Sequence, residues 1–116
     1  MAMTLPELFA ELDTRSEPID IDELVGLMSG AEIERDDLAE FIAFRDERYA
    51  RNLIRLGSQY AAFCLCWKPG QASPIHDHRG SSCGVRVIRG TASETIYERG
   101  EDGLLVKRDE TAYPVG

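Results

Sequence analysis

Along the first half of the chain, apolar residues return every three or four positions. In "TLPELFAEL", Leu8, Phe9 and Leu12 follow Thr4 at that spacing. Thr4 is a capping residue type and Pro6 is tolerated in a first turn, so a helix is predicted there. "TRSEPID" breaks it. A second helix is predicted over "IDELVGLMSG", with Asp20 or Asp22 near its start and Gly30 at its close. In "RDDLAEFIAFRDERY", Leu38, Phe41 and Ile42, and further on Arg45 and Tyr49, keep the same spacing and predict a third.

From Arg48 the pattern changes to short alternating runs. "YARNLIRLG" and "YAAFCLCWKPG" predict two strands joined by a turn around Gly57–Ser58. "SPIHDH", "CGVRVIRG", "TASETIYERG" and "LLVKRDETAYPVG" follow, each bounded by Gly or Pro. Strands at such regular spacing suggest a small antiparallel β-barrel or sandwich. The expected class is α+β, mainly β, in one domain over residues 1–116, helical over 1–47 and stranded over 48–116.

Charge narrows the partners. With 21 acidic residues against 13 basic ones the net charge is −8, which argues against a nucleic acid or an anionic membrane. The acidic excess lies mostly before Tyr49, so the later region could admit a small anion. No apolar run is long enough to span a membrane, and "MAMTLPELFAELD" lacks the features of a secretory signal. Cys64, Cys66 and Cys83 make an odd set with no framework spacing, and Cys64 and Cys66, alternating along one strand, are not expected to pair readily. A reducing cytoplasm is the expected setting.

The chemistry concentrates in "GQASPIHDHRGSSCGVRVIRG", which holds both of the chain's histidines. In an extended strand His76 and His78 would project to one face, close enough to share a metal ion, with Asp77 pointing away. Two exposed loop histidines are the plain alternative. The frame favours the metal: Gly70, five residues, His76, one residue, His78, four residues, Cys83, six residues, Gly90 resembles the first cupin motif, with Cys83 where a Glu usually stands.

"CLCWKPGQASPIHDHRGSSC" further resembles the thiol dioxygenases of the cupin superfamily, the cysteine dioxygenases in particular, and "RYARNLI" resembles that family's substrate-binding segment. The resemblance runs from about Arg48 to about Tyr97. It implies N-terminal helices followed by a cupin barrel, Fe(2+) held by His76 and His78, and a substrate carboxylate held by Arg51. It also implies Tyr49 as a neighbour of the substrate site and Cys83 beside the iron. The implied reaction oxidises L-cysteine with O2 to the sulfinate.

Residue chemistry agrees: imidazoles without a carboxylate ligand suit ferrous iron with a soft thiolate, and a guanidinium matches a carboxylate bidentately. Arg51 could instead pair with the acidic helices, and Cys83 could be a small buried hydrophobe. Cys64, Cys66 and Trp67 are expected to be packing residues.

The family uses a third histidine from a second cupin motif, which this sequence lacks, so about the first half of a barrel is expected. Three accounts of its open edges stand: the sequence is one piece of a longer or split protein, another chain supplies the remaining strands, or a shortened protein pairs with itself. A 3-mercaptopropionate-type dioxygenase and a non-catalytic metal- or partner-binding cupin module are the alternatives. A cupin isomerase or sugar-binding protein fits less well with Cys83 in place of Glu.

Overall fold

The computed structural model describes residues 2–76 and 81–116 and divides into two compact units, residues 1–84 and 85–116. The first unit runs α1 (Leu5–Asp13), α2 (Ile21–Ser29), a 3-10 helix (Arg35–Phe41), β1 (Ala50–Leu56) and β2 (Ala61–Cys66); the second holds β3 (Ala92–Arg99) and β4 (Leu105–Tyr113). Each unit contains one two-stranded antiparallel sheet, β1–β2 and β3–β4, and the described residues close no barrel. The architecture is α+β and mainly β, as the periodicity predicts.

The start of α1 is built by its own sequence. Thr4 Oγ1 accepts from the Glu7 amide at 3.3 Å while the Glu7 carboxylate accepts from the Thr4 amide, so two of the unpaired N–H groups at the helix start are satisfied reciprocally. Asp20 caps α2 in one direction only, its side chain accepting from the Asp22 amide at 3.1 Å. Leu5, Leu8 and Leu12 form one buried stripe on α1, and with Ala31, Leu38, Ala50 and Cys66 they make the core. Each buried leucine contributes about 1.5–3 kcal/mol of transfer free energy. Met3 and Ala31 bridge in parallel, tying the N-terminus to the end of α2.

The third helix is shorter than its pattern predicts. It is a single 3-10 stretch ending at Phe41, and Ile42 is already extended (φ −81°, ψ 110°). The cause is tertiary. Asn52 Nδ2 donates to the carbonyls of Phe41 at 2.8 Å and Ala43 at 3.1 Å, oxygens that a continuing helix would offer to its own amides four residues on. Captured by β1, the segment runs extended into the strand.

The β1–β2 hairpin matches the prediction, with Gly57 N donating to Tyr60 O at 2.9 Å across the turn and a bulge between Leu53 and Arg55. Asp13 at the end of α1 anchors it: Asp13 pairs with Arg55 and accepts from the Tyr60 hydroxyl at 2.6 Å. In the second unit β3 and β4 form a hairpin whose turn requires glycine at Gly103, where φ is +81°. The strands expected at "SPIHDH" and "CGVRVIRG" are not formed among the described residues. An extended segment becomes a strand only when a neighbour takes its N–H and C=O groups in series; within residues 81–90, Val87 O accepts from the amide of Gly116 at 3.0 Å, and no ladder forms among the described residues.

Candidate functional site

Strand alternation sorts the β1–β2 hairpin into two faces. Ala50 and Asn52 stand opposite Cys66 and Cys64, while Arg51 and Leu53 stand opposite Leu65 and Phe63. The first face is the inner one, with Ala50 and Cys66 buried and Asn52 and Cys64 half-buried. The second carries Arg51 between apolar neighbours and extends to Tyr49 and Trp67, whose rings stack with centroids 4.1 Å apart and planes 6° from parallel. It is open: Leu53 is 51% exposed, and Leu65 and Trp67 are 39% exposed.

Arg51 is exposed, and its guanidinium carbon lies over the Phe63 ring, 4.0 Å from the centroid. Among the described residues Arg51 joins no ion pair, although Asp46 and Glu47 lie close in sequence; those two pair with Lys68 and Arg45. The alternative role for Arg51, a salt bridge to the acidic helices, is not formed among the described residues. A permanently charged, planar donor group is left on an apolar, aromatic-flanked face, where it can receive a carboxylate.

His76 is exposed, with Nδ1 2.8 Å from the Pro74 carbonyl oxygen. A carbonyl has no proton to give, so this contact puts an imidazole proton on Nδ1. That proton placement fits a metal ligand held by a backbone acceptor. His78, the other half of the expected pair, lies outside the described residues, as does Asp77. Among the described residues no group of three or more His, Cys, Asp or Glu gathers to hold a metal.

Cys83 is an exposed free thiol rather than a buried hydrophobe. It precedes Gly84, which sits so close to α2 that an added Cβ would meet Met28 Sδ at 2.7 Å. Cys64 and Cys66 are free thiols on the inner face, as packing residues should be. Their sulfurs nevertheless lie 3.8 Å apart, because residues two apart in a strand share a face. Burial, and then the neighbouring Cys66, pushes the Cys64 thiol up to about 11, so it stays protonated and inert at neutral pH.

Two participants escape sequence reasoning. Phe63 is unremarkable in "YAAFCLC", and Trp67 reads only as a strand-end anchor. The hairpin register puts Phe63 beside Arg51 and Trp67 against Tyr49. Counting outward from the turn at Gly57–Ser58 with strand alternation was the signal that could have found them, but the bulge after Leu53 spoils the count from one side.

Comparison with known proteins gives one family. The family model described as "Cysteine dioxygenase type I" matches residues 2–113. Among curated proteins, the chain is similar to "Cysteine dioxygenase type 1" of Danio rerio, 32% identical over 96 residues, covering 82% of this chain and 45% of that one. The protein of the same name from Homo sapiens is 31% identical over 94 residues, covering 80% and 44%, and that from Bos taurus 33% identical over 94 residues with the same coverage. The chain thus spans less than half the length of the curated relatives it matches.

Proposed function

Since this chain belongs to the cysteine dioxygenase type I family, we propose that it carries the substrate grip and a portion of the iron site of a thiol dioxygenase that converts L-cysteine and O2 into cysteine sulfinate. The observation that carries the reading is Arg51: a guanidinium in no ion pair among the described residues, on an open apolar face, beside a stacked tyrosine and tryptophan. A small thiol acid fits that chemistry. Its carboxylate takes the N–H fork of Arg51, and its aliphatic portion lies along Leu53 and Leu65.

His76 and His78 would hold Fe(2+), together with a third donor beyond these two histidines. Bound there, iron would supply O2 activation and a Lewis acid that favours the substrate thiolate. The chain's own residues do the rest. Arg51 fixes the carboxylate end, which orients the sulfur and reduces the freedom that the reaction must otherwise freeze out. The Tyr49–Trp67 stack stands on the same strand face as the guanidinium and adds an aromatic surface beside the bound thiol. The Pro74 carbonyl keeps the His76 proton on Nδ1. Cys83 stands as the family's cysteine beside the iron. Both oxygen atoms end on sulfur, so the conversion of thiol and O2 to sulfinic acid balances without another reductant.

In this reading residues 1–116 form one cupin-like domain. The helices of residues 1–47 precede the strands of residues 48–116, and further strands complete the barrel. The setting is a reducing cytoplasm, in keeping with three free thiols. Among the described residues no helix is long and apolar enough to cross a membrane.

The test is oxygen uptake by the chain loaded anaerobically with ferrous iron, with L-cysteine and with 3-mercaptopropionate as substrates and sulfinate measured as product. His76→Ala is expected to abolish uptake and lower iron retention. Arg51→Ala is expected to raise KM for L-cysteine by about 10- to 100-fold, as expected for a charge-assisted carboxylate contact, with iron content unchanged. Equal loss of iron in both variants would remove Arg51 from the substrate site.

A further inference from the structure

A flexible arginine at an exposed position samples many rotamers, and a carboxylate that must wait for the right one binds weakly. Arg51 is not left to wander. Its guanidinium carbon lies 4.0 Å from the centroid of Phe63, a residue on the same sheet face and diagonal to it across the hairpin, since Arg51 pairs with Leu65 and Leu53 pairs with Phe63. Phe63 is itself half-buried and flanked by Leu53 and Leu65, so the ring is a firmer body than the arginine it meets.

A cation over an aromatic face is attracted by the ring quadrupole, and the attraction spends none of the in-plane hydrogen-bond donors that a carboxylate needs. An ion pair would have occupied those donors, and Arg51 has none among the described residues.

We infer that Phe63 is a positioning residue for substrate binding: its ring parks the Arg51 guanidinium in a carboxylate-ready pose, and the chain thereby favours thiols that carry a carboxylate over thiols that lack one. This rests on the carboxylate role of Arg51, and it predicts specificity rather than chemistry. Phe63 touches Arg51, not the reacting sulfur, so removing the ring acts through Arg51 and changes selection among thiols.

The experiment compares L-cysteine with cysteamine, the same aminothiol without the carboxylate. Affinity of each is measured calorimetrically on the full chain, anaerobically and with ferrous iron present. The parent is expected to prefer L-cysteine, and Arg51→Ala to erase that preference. Phe63→Leu keeps the apolar bulk without the ring and is expected to cut the preference about two- to fivefold, the size an exposed cation–π contact supports. Phe63→Tyr is expected to restore it. In the same proteins, the Arg51 side-chain resonances are expected to carry an upfield ring-current shift in the parent and in Phe63→Tyr, and to lose it in Phe63→Leu.

Full preference in Phe63→Leu alongside its loss in Arg51→Ala overturns the role of Phe63 and leaves that of Arg51 standing. A stronger preference in Phe63→Leu overturns it too, because the ring would then be holding the guanidinium away from substrate. No preference in the parent, or one that survives Arg51→Ala, removes the carboxylate reading and this inference with it. If Phe63→Leu fails to fold, judged by fluorescence of Trp67 on the same face, Phe63→Met replaces it with the same expectations.

Discussion

Removing one amide from β1 tests whether tertiary capture, rather than local sequence, ends the third helix. Asn52 Nδ2 donates to Phe41 O at 2.8 Å in a half-buried setting and to Ala43 O at 3.1 Å in an exposed one. A neutral hydrogen bond contributes about 0.5–1.5 kcal/mol net. The bond to Ala43 belongs at the low end of that range, since water can replace it, and the bond to Phe41 at the high end. Asn52→Ala is therefore expected to cost about 1–2 kcal/mol. Asn52→Asp nearly preserves the shape but turns an acceptor toward two carbonyls, so its cost is expected to be higher, about 2–3 kcal/mol. Urea unfolding gives the magnitude when followed by far-UV circular dichroism and by fluorescence of the single tryptophan, Trp67. Fluorescence adds position: the tethered segment leads into Tyr49, which stacks on Trp67, so loosening the tether is expected to change the emission before the unfolding transition. A parent-like Asn52→Ala, within about 0.3 kcal/mol, or an Asn52→Asp no worse than Asn52→Ala, would refute the argument.

Two further outcomes concern the anchor between α1 and the hairpin. An added Cβ on Gly57 would come within 2.2 Å of Tyr60 Cε1. The tyrosine cannot turn away without losing its bonds to Asp13 and Arg55. Gly57→Ala is therefore expected to cost about 1–3 kcal/mol in chemical denaturation, and most of that cost is expected to vanish when Tyr60→Ala is already present. The Arg55 hydrogen bond, and then that of Tyr60, holds the Asp13 carboxyl below its ordinary range. A depressed carboxyl stabilises the fold above its unfolded value, about pH 3.9, and the contribution is lost as pH falls through the lower folded value. Melting temperature is thus expected to fall on acidification below about pH 4, more gently in Asp13→Asn; identical acid limbs in the two proteins would exclude Asp13 as a contributor.

How much of this could be read along the chain depends on the range of the forces involved. The capped start of α1, the close of α2 at Gly30, the β1–β2 turn and the extended runs of β3 and β4 are local events, decided by side chains within a few residues of the backbone they satisfy. All were legible. The third helix was not, because its pattern of Leu38, Phe41 and Ile42 is helical while the partner that unwinds it stands eleven residues beyond Phe41, in β1.

The candidate site divides in the same way. The residue types and spacing of Arg51, His76, His78 and Cys83 are properties of the sequence, and so is the family they indicate. That Arg51 forms no ion pair among the described residues, that Phe63 lies under its guanidinium, and that Tyr49 and Trp67 stack is settled only by the hairpin register. A strand pattern says which residues share a face. Only pairing with a second strand says which of them meet, because the register, with its bulge after Leu53, is chosen by the burial of the inner face and not by the residues that happen to stand outside it.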